Sequence, residues 1–374
     1  MIFGSLSMCV LALAAGPEQD HSRVPGVVIS HISADTRLYM PSPSIAILPN
    51  GNYVVSHDYG RFDRKPHDEV LVFGSSDKGR TWRRLSKTTG RWDTLFFHRG
   101  ALYLFGCGGM FGNAVIRPSN DGGRTWTEPK DGKSGLLRSD AKYHTGAVPV
   151  VVHKGRIWRA FELAEGARDR WKAVVLSAPE DADLLDGGNW RRSEAYHHGW
   201  GDGCQWIEGN VVVAPGGGLM DILRTNGRGA DKAAILHVSK DGNRLSHDPL
   251  KDVIDFPGGG SKLTIRFDRD SGRYWALAKK QTKPEAFRNM LVLTSSADLR
   301  NWRVERLVLT HPDEKKVGFH YADWQFDGDD IVAVSRTAFD DGAGGPHNAH
   351  DNNYVTFHRI ENFRKTAGGV GASN

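Results

Sequence analysis

Five polar clusters along the chain combine residue types able to move protons or hold an acidic ligand. Ser56-His57-Asp58-Tyr59 sets an imidazole beside a carboxylate, a pairing suited to a general base. Lys142-Tyr143-His144-Thr145 places two proton-transfer groups just before the apolar run Ala147 to Val152, with Arg159 and Glu162 on the strand that follows. Asp221-Ile222-Leu223-Arg224 ends a strand with a guanidinium fork that matches a substrate carboxylate. Pro257-Gly258-Gly259-Gly260-Ser261-Lys262 offers three glycines, over which a ligand can approach the backbone. No helix follows it, so a phosphate cradle is not indicated. The richest cluster joins His320-Tyr321-Ala322-Asp323-Trp324, Arg336 and the loop holding His347, Asn348, His350, Asp351 and Asn352. Polar, glycine-bounded loops of this kind carry sites.

These groups call for no cofactor. His347 and His350 are the only weak metal candidates, and two ligands do not make a metal centre, although structural calcium or zinc is compatible with the composition. The three cysteines, Cys9, Cys107 and Cys204, form no CxxC pair.

The elements that must position these residues announce themselves by a repeat. Ser75-Ser76-Asp77-Lys78-Gly79-Arg80-Thr81-Trp82 and Ser119-Asn120-Asp121-Gly122-Gly123-Arg124-Thr125-Trp126 both read S-x-D-x-G-x-T-W. Degraded copies follow at Ser239-Lys240-Asp241-Gly242-Asn243 and from Ser296 through Asp298 to Trp302, with a weaker echo from Ser177 to Trp190 around Asp181. The aspartates are 44, 60, 60 and 57 residues apart, a spacing that suits one four-stranded propeller blade plus loops. The motif reads as a folding staple: glycine admits the left-handed turn, aspartate accepts from the turn's amides, and tryptophan covers it. Paired apolar runs flank the repeats, as in Ala46 to Val55 around Pro49-Asn50-Gly51.

The 374 residues include 44 glycines and 11 tryptophans, without a collagen period or a long helical pattern. The expected fold class is therefore all-β: a six- or seven-bladed β-propeller of four-stranded antiparallel blades, in one domain over residues 17–374. Residues 1–16 read as an export signal that lacks the usual basic start, as a truncated one would, which implies a secreted or periplasmic protein. No later stretch is apolar enough to span a membrane as a helix. The net charge of +5 is scattered, which argues against a nucleic-acid arm and is compatible with an acidic polymer as partner. A monomer is expected.

The repeat resembles the Asp-box, or BNR repeat, of sialidase-like β-propellers. True sialidases use an arginine triad, a tyrosine–glutamate nucleophile pair and an acid aspartate. Where the first arginine would stand, this chain reads Met40-Pro41-Ser42-Pro43-Ser44-Ile45, which argues against sialic-acid hydrolysis. Segments around Ser56-His57-Asp58, Tyr143-His144-Thr145, Phe256-Pro257-Gly258-Gly259 and His347-Asn348-Ala349-His350-Asp351 are similar to propeller ulvan lyases and rhamnosyl–glucuronate lyases or rhamnosidases. That resemblance implies a secreted enzyme on a uronate-containing polysaccharide, with β-elimination the first expectation. An exo-acting glycoside hydrolase and a non-catalytic glycan-binding propeller are the alternatives. The expected catalytic set is His57, Tyr143, His144 and Arg224. Arg224 would neutralise the carboxylate, His144 or His57 would act as base, and Tyr143 as acid. Asp58, Arg159, Glu162, Lys262, Tyr321, Asp323, Arg336, His347, His350 and Asp351 are the expected substrate-binding residues.

Overall fold

Six four- or five-stranded antiparallel sheets form the six blades of a propeller. The computed structural model describes residues 21–63, 65, 67–198, 204–226, 231–280 and 288–365, so the segment read as an export signal lies outside the described residues. Blade 1 runs through Ser44–Ile47, Tyr53–Asp58, Glu69–Ser75 and Arg83–Thr89. Blade 2 starts at Arg91–His98, blade 3 at Tyr143–His144, blade 4 at Gln205–Val213, blade 5 at Thr264–Asp268 and blade 6 at Gly318–Asp327. The last blade takes its outer strand from the start of the chain. Val27–His31 pairs antiparallel with Tyr354–Ile360, Val27 opposite Phe357 and His31 opposite Tyr354, which closes the ring. The expected range of six or seven blades resolves to six.

Strand alternation sends one face of each sheet against the blade before it and the other against the blade after. Between blades 6 and 1 the core holds Ile45, Val55 and Phe73 against Val332, Val334 and Phe357. Between blades 2 and 3 it holds Phe105 and Ile116 against Phe161, Val174 and Trp190.

The S-x-D-x-G-x-T-W segments sit where the third strand turns into the fourth. In blade 1, Asp77 Oδ1 accepts from Ser75 Oγ at 2.8 Å and Asp77 Oδ2 from Thr81 Oγ1 at 2.6 Å. Trp82 Nε1 donates to Gly79 O at 3.1 Å. Gly79 has φ +84°, and a Cβ there would stand 2.3 Å from the Phe357 ring of blade 6, so no other residue fits. Blade 2 repeats the carboxylate bonds around Asp121, though Trp126 Nε1 there donates to Ser86 Oγ, and blade 5 repeats the arrangement around Asp298 with Asn301 in place of threonine. The echo in blade 3 differs from expectation. Asp183, rather than Asp181, accepts from a turn amide, that of Leu185.

Candidate active site

The blades' first strands surround a central cavity of about 680 Å³ at one end of the propeller. Three of those strands carry the same irregularity. Register breaks between Arg91 and Thr94, between Ile207 and Asn210, and between His320 and Asp323 interrupt blades 2, 4 and 6. At each break one non-glycine residue has positive φ: Trp92 at 56°, Glu208 at 57° and Tyr321 at 54°. All three side chains line the cavity. A bulge adds a residue to one strand and re-aims a side chain, and left-handed backbone outside glycine persists where the surroundings impose it. Alternate blades thus each turn one large side chain into the central space.

Tyr321 and Glu208 meet on one guanidinium. Arg224 Nη1 donates to Tyr321 Oη at 2.8 Å and lies 3.0 Å from Glu208 Oε2. Burial opposes the charge on Arg224, but Glu208 and Tyr321 outweigh it and hold its pKa above the ordinary value. Arg336 stacks over the Tyr321 ring at 3.7 Å. Arg288 lines the same sector and reaches the His320 ring at 3.3 Å. Neither Arg288 nor Arg336 has a carboxylate partner among the described residues.

Across the cavity stands His144. Its Nδ1 lies 2.6 Å from Glu162 Oε2. Its ring is caged by Trp92 at 4.4 Å, Trp171 at 4.9 Å and Phe111 at 6.2 Å between centroids. Burial drives the imidazole down to about 3. Burial, reinforced by the nearby Glu208 charge, drives Glu162 up to about 8, although its Oε1 accepts from the Glu208 amide at 2.7 Å. Burial thus favours the neutral form of both groups, in which the carboxylic acid donates to Nδ1 and Nε2–H is left for the cavity. The bond from Glu162 to the Glu208 backbone ties this pair to the tyrosine sector.

Of the residues expected from sequence, His144, Arg224, Tyr321, Arg336 and His350 line the cavity. Glu162 stands directly behind His144. Other predicted residues position the lining from below. Asp58 accepts from the amides of Ser42 at 2.9 Å and Trp92 at 3.0 Å, and pairs with Arg91 at 3.5 Å. Arg159, fully buried, donates to Trp92 O and Gly146 O. Lys262 Nζ donates to Thr264 Oγ1 and Ala322 O, beneath Tyr321. Asp323 accepts from Ser44 Oγ, the Ile45 amide and Arg266, stitching blade 6 to blades 1 and 5. Asp351 holds His350 Nδ1 at 2.6 Å, and His347 stacks on Phe62 at 4.2 Å. None of these six is among the residues that line the cavity.

Two expected catalytic residues lie elsewhere. His57 is 1% exposed, stacked on Phe73, with Nδ1 on Asp58 O. Tyr143 is fully buried, and its hydroxyl donates to Asp140 and accepts from Arg192. Tyr143 adjoins His144 on one strand, so alternation turns its side chain away from the cavity. Sequence reasoning missed Glu208, Arg288, Trp92, Phe111 and Trp171. Glu208 alone left a signal, as the one charged residue in the strand Gln205–Val213. No group of three or more His, Cys, Asp or Glu able to hold a metal occurs among the described residues. No helix among them is long and apolar enough to cross a membrane.

No protein-family model matches the sequence, and comparison with curated proteins returns no match. Solved structures share the fold. An α-L-arabinanase of Penicillium chrysogenum, solved with arabinobiose, superposes with a TM-score of 0.58 at 15% identity, over 91% of this chain and 98% of that one. A Hadza microbial sialidase gives 0.59 at 13% identity, over 88% of this chain and 67% of that one. The Trypanosoma rangeli sialidase, solved with the inhibitor DANA, gives 0.58 at 15%, over 89% of this chain and 55% of that one. The chain has the sialidase-like β-propeller fold, on which these carbohydrate-active enzymes are built.

Proposed function

We propose that the protein is a glycoside hydrolase that releases an acidic sugar from a glycan. The observation that carries this reading is the bulged Tyr321, its hydroxyl on Arg224, its ring under Arg336, and Glu208 on the same Arg224. Arg224, Arg288 and Arg336 supply the forked donors that hold a sugar carboxylate. Tyr321 Oη then attacks the anomeric carbon while the bond to the leaving oxygen breaks. The phenolic proton passes to Glu208. The leaving oxygen takes the proton of His144 Nε2, and Glu162 passes its own proton to Nδ1. The pair ends as a neutral imidazole and a carboxylate. It is then set to deprotonate the water that hydrolyses the tyrosyl intermediate. A tyrosine nucleophile is a known exception to the two-carboxylate pattern of glycosidases. It suits this cavity, where Glu208 is the only carboxylate-bearing residue among the described residues of the lining.

A second reading is β-elimination beside a uronate, favoured by the same arginines and by the caged imidazole. The carboxylate would be neutralised by arginine and the α-proton removed by Tyr321 or His144. Incubation with acidic oligosaccharides separates the two. Hydrolysis adds one water to the summed product mass, whereas elimination adds none and generates an unsaturated uronate absorbing in the ultraviolet. Products lacking the added water would overturn the hydrolytic reading.

A further inference from the structure

Each of the six blades contributes one arginine to the cavity wall: Arg61, Arg91, Arg168, Arg224, Arg288 and Arg336 in order around the ring. Arg61 is held by Asp63 through two bonds of 2.9 Å, Arg91 by Asp58 at 3.5 Å, and Arg224 by Glu208 at 3.0 Å. Arg168, Arg288 and Arg336 meet no carboxylate among the described residues. Among the described residues, three positive charges in one cavity are therefore uncompensated. Their mutual repulsion costs stability unless a ligand offsets it.

A single carboxylate explains one sector only. Arg288 and Arg336 belong to blades 5 and 6, where they flank Tyr321. Blades 2 and 3, which supply Arg91 and Arg168, stand opposite in a ring of six. The Arg91 guanidinium lies 5.5 Å from the Trp92 ring, and that of Arg168 lies 5.8 Å from the Trp171 ring. Trp92 and Phe111 are half-buried and give this side apolar ring surface on which a sugar packs, with Trp171 buried behind them. The cavity volume falls in the range that encloses ligands larger than one sugar.

We infer that the cavity takes a glycan bearing at least two anionic groups. One sits on the Arg288–Arg336 sector, and the second is a carboxylate or sulfate on the neighbouring sugar, received by Arg91 and Arg168 beside Trp92 and Trp171. This rests on the acidic-sugar reading above and narrows its substrate to sulfated or consecutive uronate sequences.

The test is calorimetric titration with three thio-linked disaccharides, which resist hydrolysis. One is a uronosyl disaccharide with a single carboxylate, one is its sulfated form, and one is a diuronate. One or both dianionic ligands should bind about tenfold more tightly than the monoanion, as expected for one added charge-assisted contact to a partly exposed arginine. Whichever gains more identifies the group as sulfate or carboxylate. Arg168 is exposed on a short turn, and its side chain makes no hydrogen bond to the described residues; only its backbone carbonyl accepts, from the Trp171 amide, so Arg168→Ala should fold. It should bring the ratio of affinities to within about twofold of one. Arg288→Ala should weaken all three ligands and keep the preference. Equal affinity for the three ligands in the unaltered protein overturns the second subsite and leaves the acidic-sugar reading standing. Failure of all three to bind overturns both.

Discussion

Tyr321→Phe tests the proposed chemistry with the least structural disturbance. The phenyl ring keeps its place under Arg336, since that contact, at 3.7 Å, uses the ring face. Arg224 loses an acceptor at 2.8 Å but keeps Glu208 at 3.0 Å. A hydrogen bond to a charged group contributes roughly 1.5–3 kcal/mol. With Glu208 and cavity water available to Arg224, the net loss of stability should be about 1 kcal/mol. That predicts a fall in Tm of under about 3 °C for a chain of this length. Removing a covalent nucleophile is far more costly to the barrier. A loss of about 1000-fold in kcat, or ~4 kcal/mol, is the least expected. The assay pairs turnover of an acidic aryl glycoside with differential scanning calorimetry. A second measurement locates the bond: a fluorinated acidic sugar that traps the intermediate should add its mass to the peptide containing Tyr321. Turnover of Tyr321→Phe within tenfold of the unaltered protein would refute the nucleophile assignment. A label on the Glu208 peptide would exchange the roles of the two residues.

Glu162→Gln should keep His144 in place through an amide donated to Nδ1, yet block the proton relay. We expect kcat to fall about 10²–10⁴-fold with little change in KM, and a steady-state pH series checks it. Burial holds His57 and His358 near pKa 4 rather than 6.5. Below pH 6.5 the unfolded chain binds protons that the folded chain refuses, so stability falls as pH drops from 6.5 to 4, by up to about 3 kcal/mol for each residue. Denaturant titrations at several pH values should show this, and His57→Phe should reduce the slope by about 1.4 kcal/mol per pH unit. Gly79→Ala should destabilise by about 3 kcal/mol, from left-handed strain and the collision with Phe357, measured as a shift in the denaturation midpoint.

The architecture was legible because its signals are local. A turn that needs Asp77, Gly79 and Trp82 writes all three within eight residues, and the turn recurs at blade spacing. The site is written differently. Its chemical types were legible, since His144, Arg224, Tyr321, Arg336 and His350 of the polar clusters do line the cavity. Which member of each cluster faces it was not. In a propeller an inner-strand side chain ordinarily points sideways into the neighbouring blade, and the period of two decides which. Tyr143 and His144 differ by one step, so a sequence naming both cannot choose between blade core and cavity. The decisive residues also break the period. Trp92, Glu208 and Tyr321 reach the cavity because a bulge inserts a residue and reverses the backbone at that point. No glycine marks those positive dihedrals, so periodicity passes over them. Arg288 shows the complementary difficulty, since the Arg288–Arg336 sector draws on two blades and exists only once the ring has closed. The same three bulges explain why buried residues first read as substrate contacts, such as Arg159, Lys262 and Asp58, matter to the site. Arg159 and Asp58 bond the backbone at Trp92, and Lys262 bonds it next to Tyr321. They hold the strained turns that no local propensity would maintain.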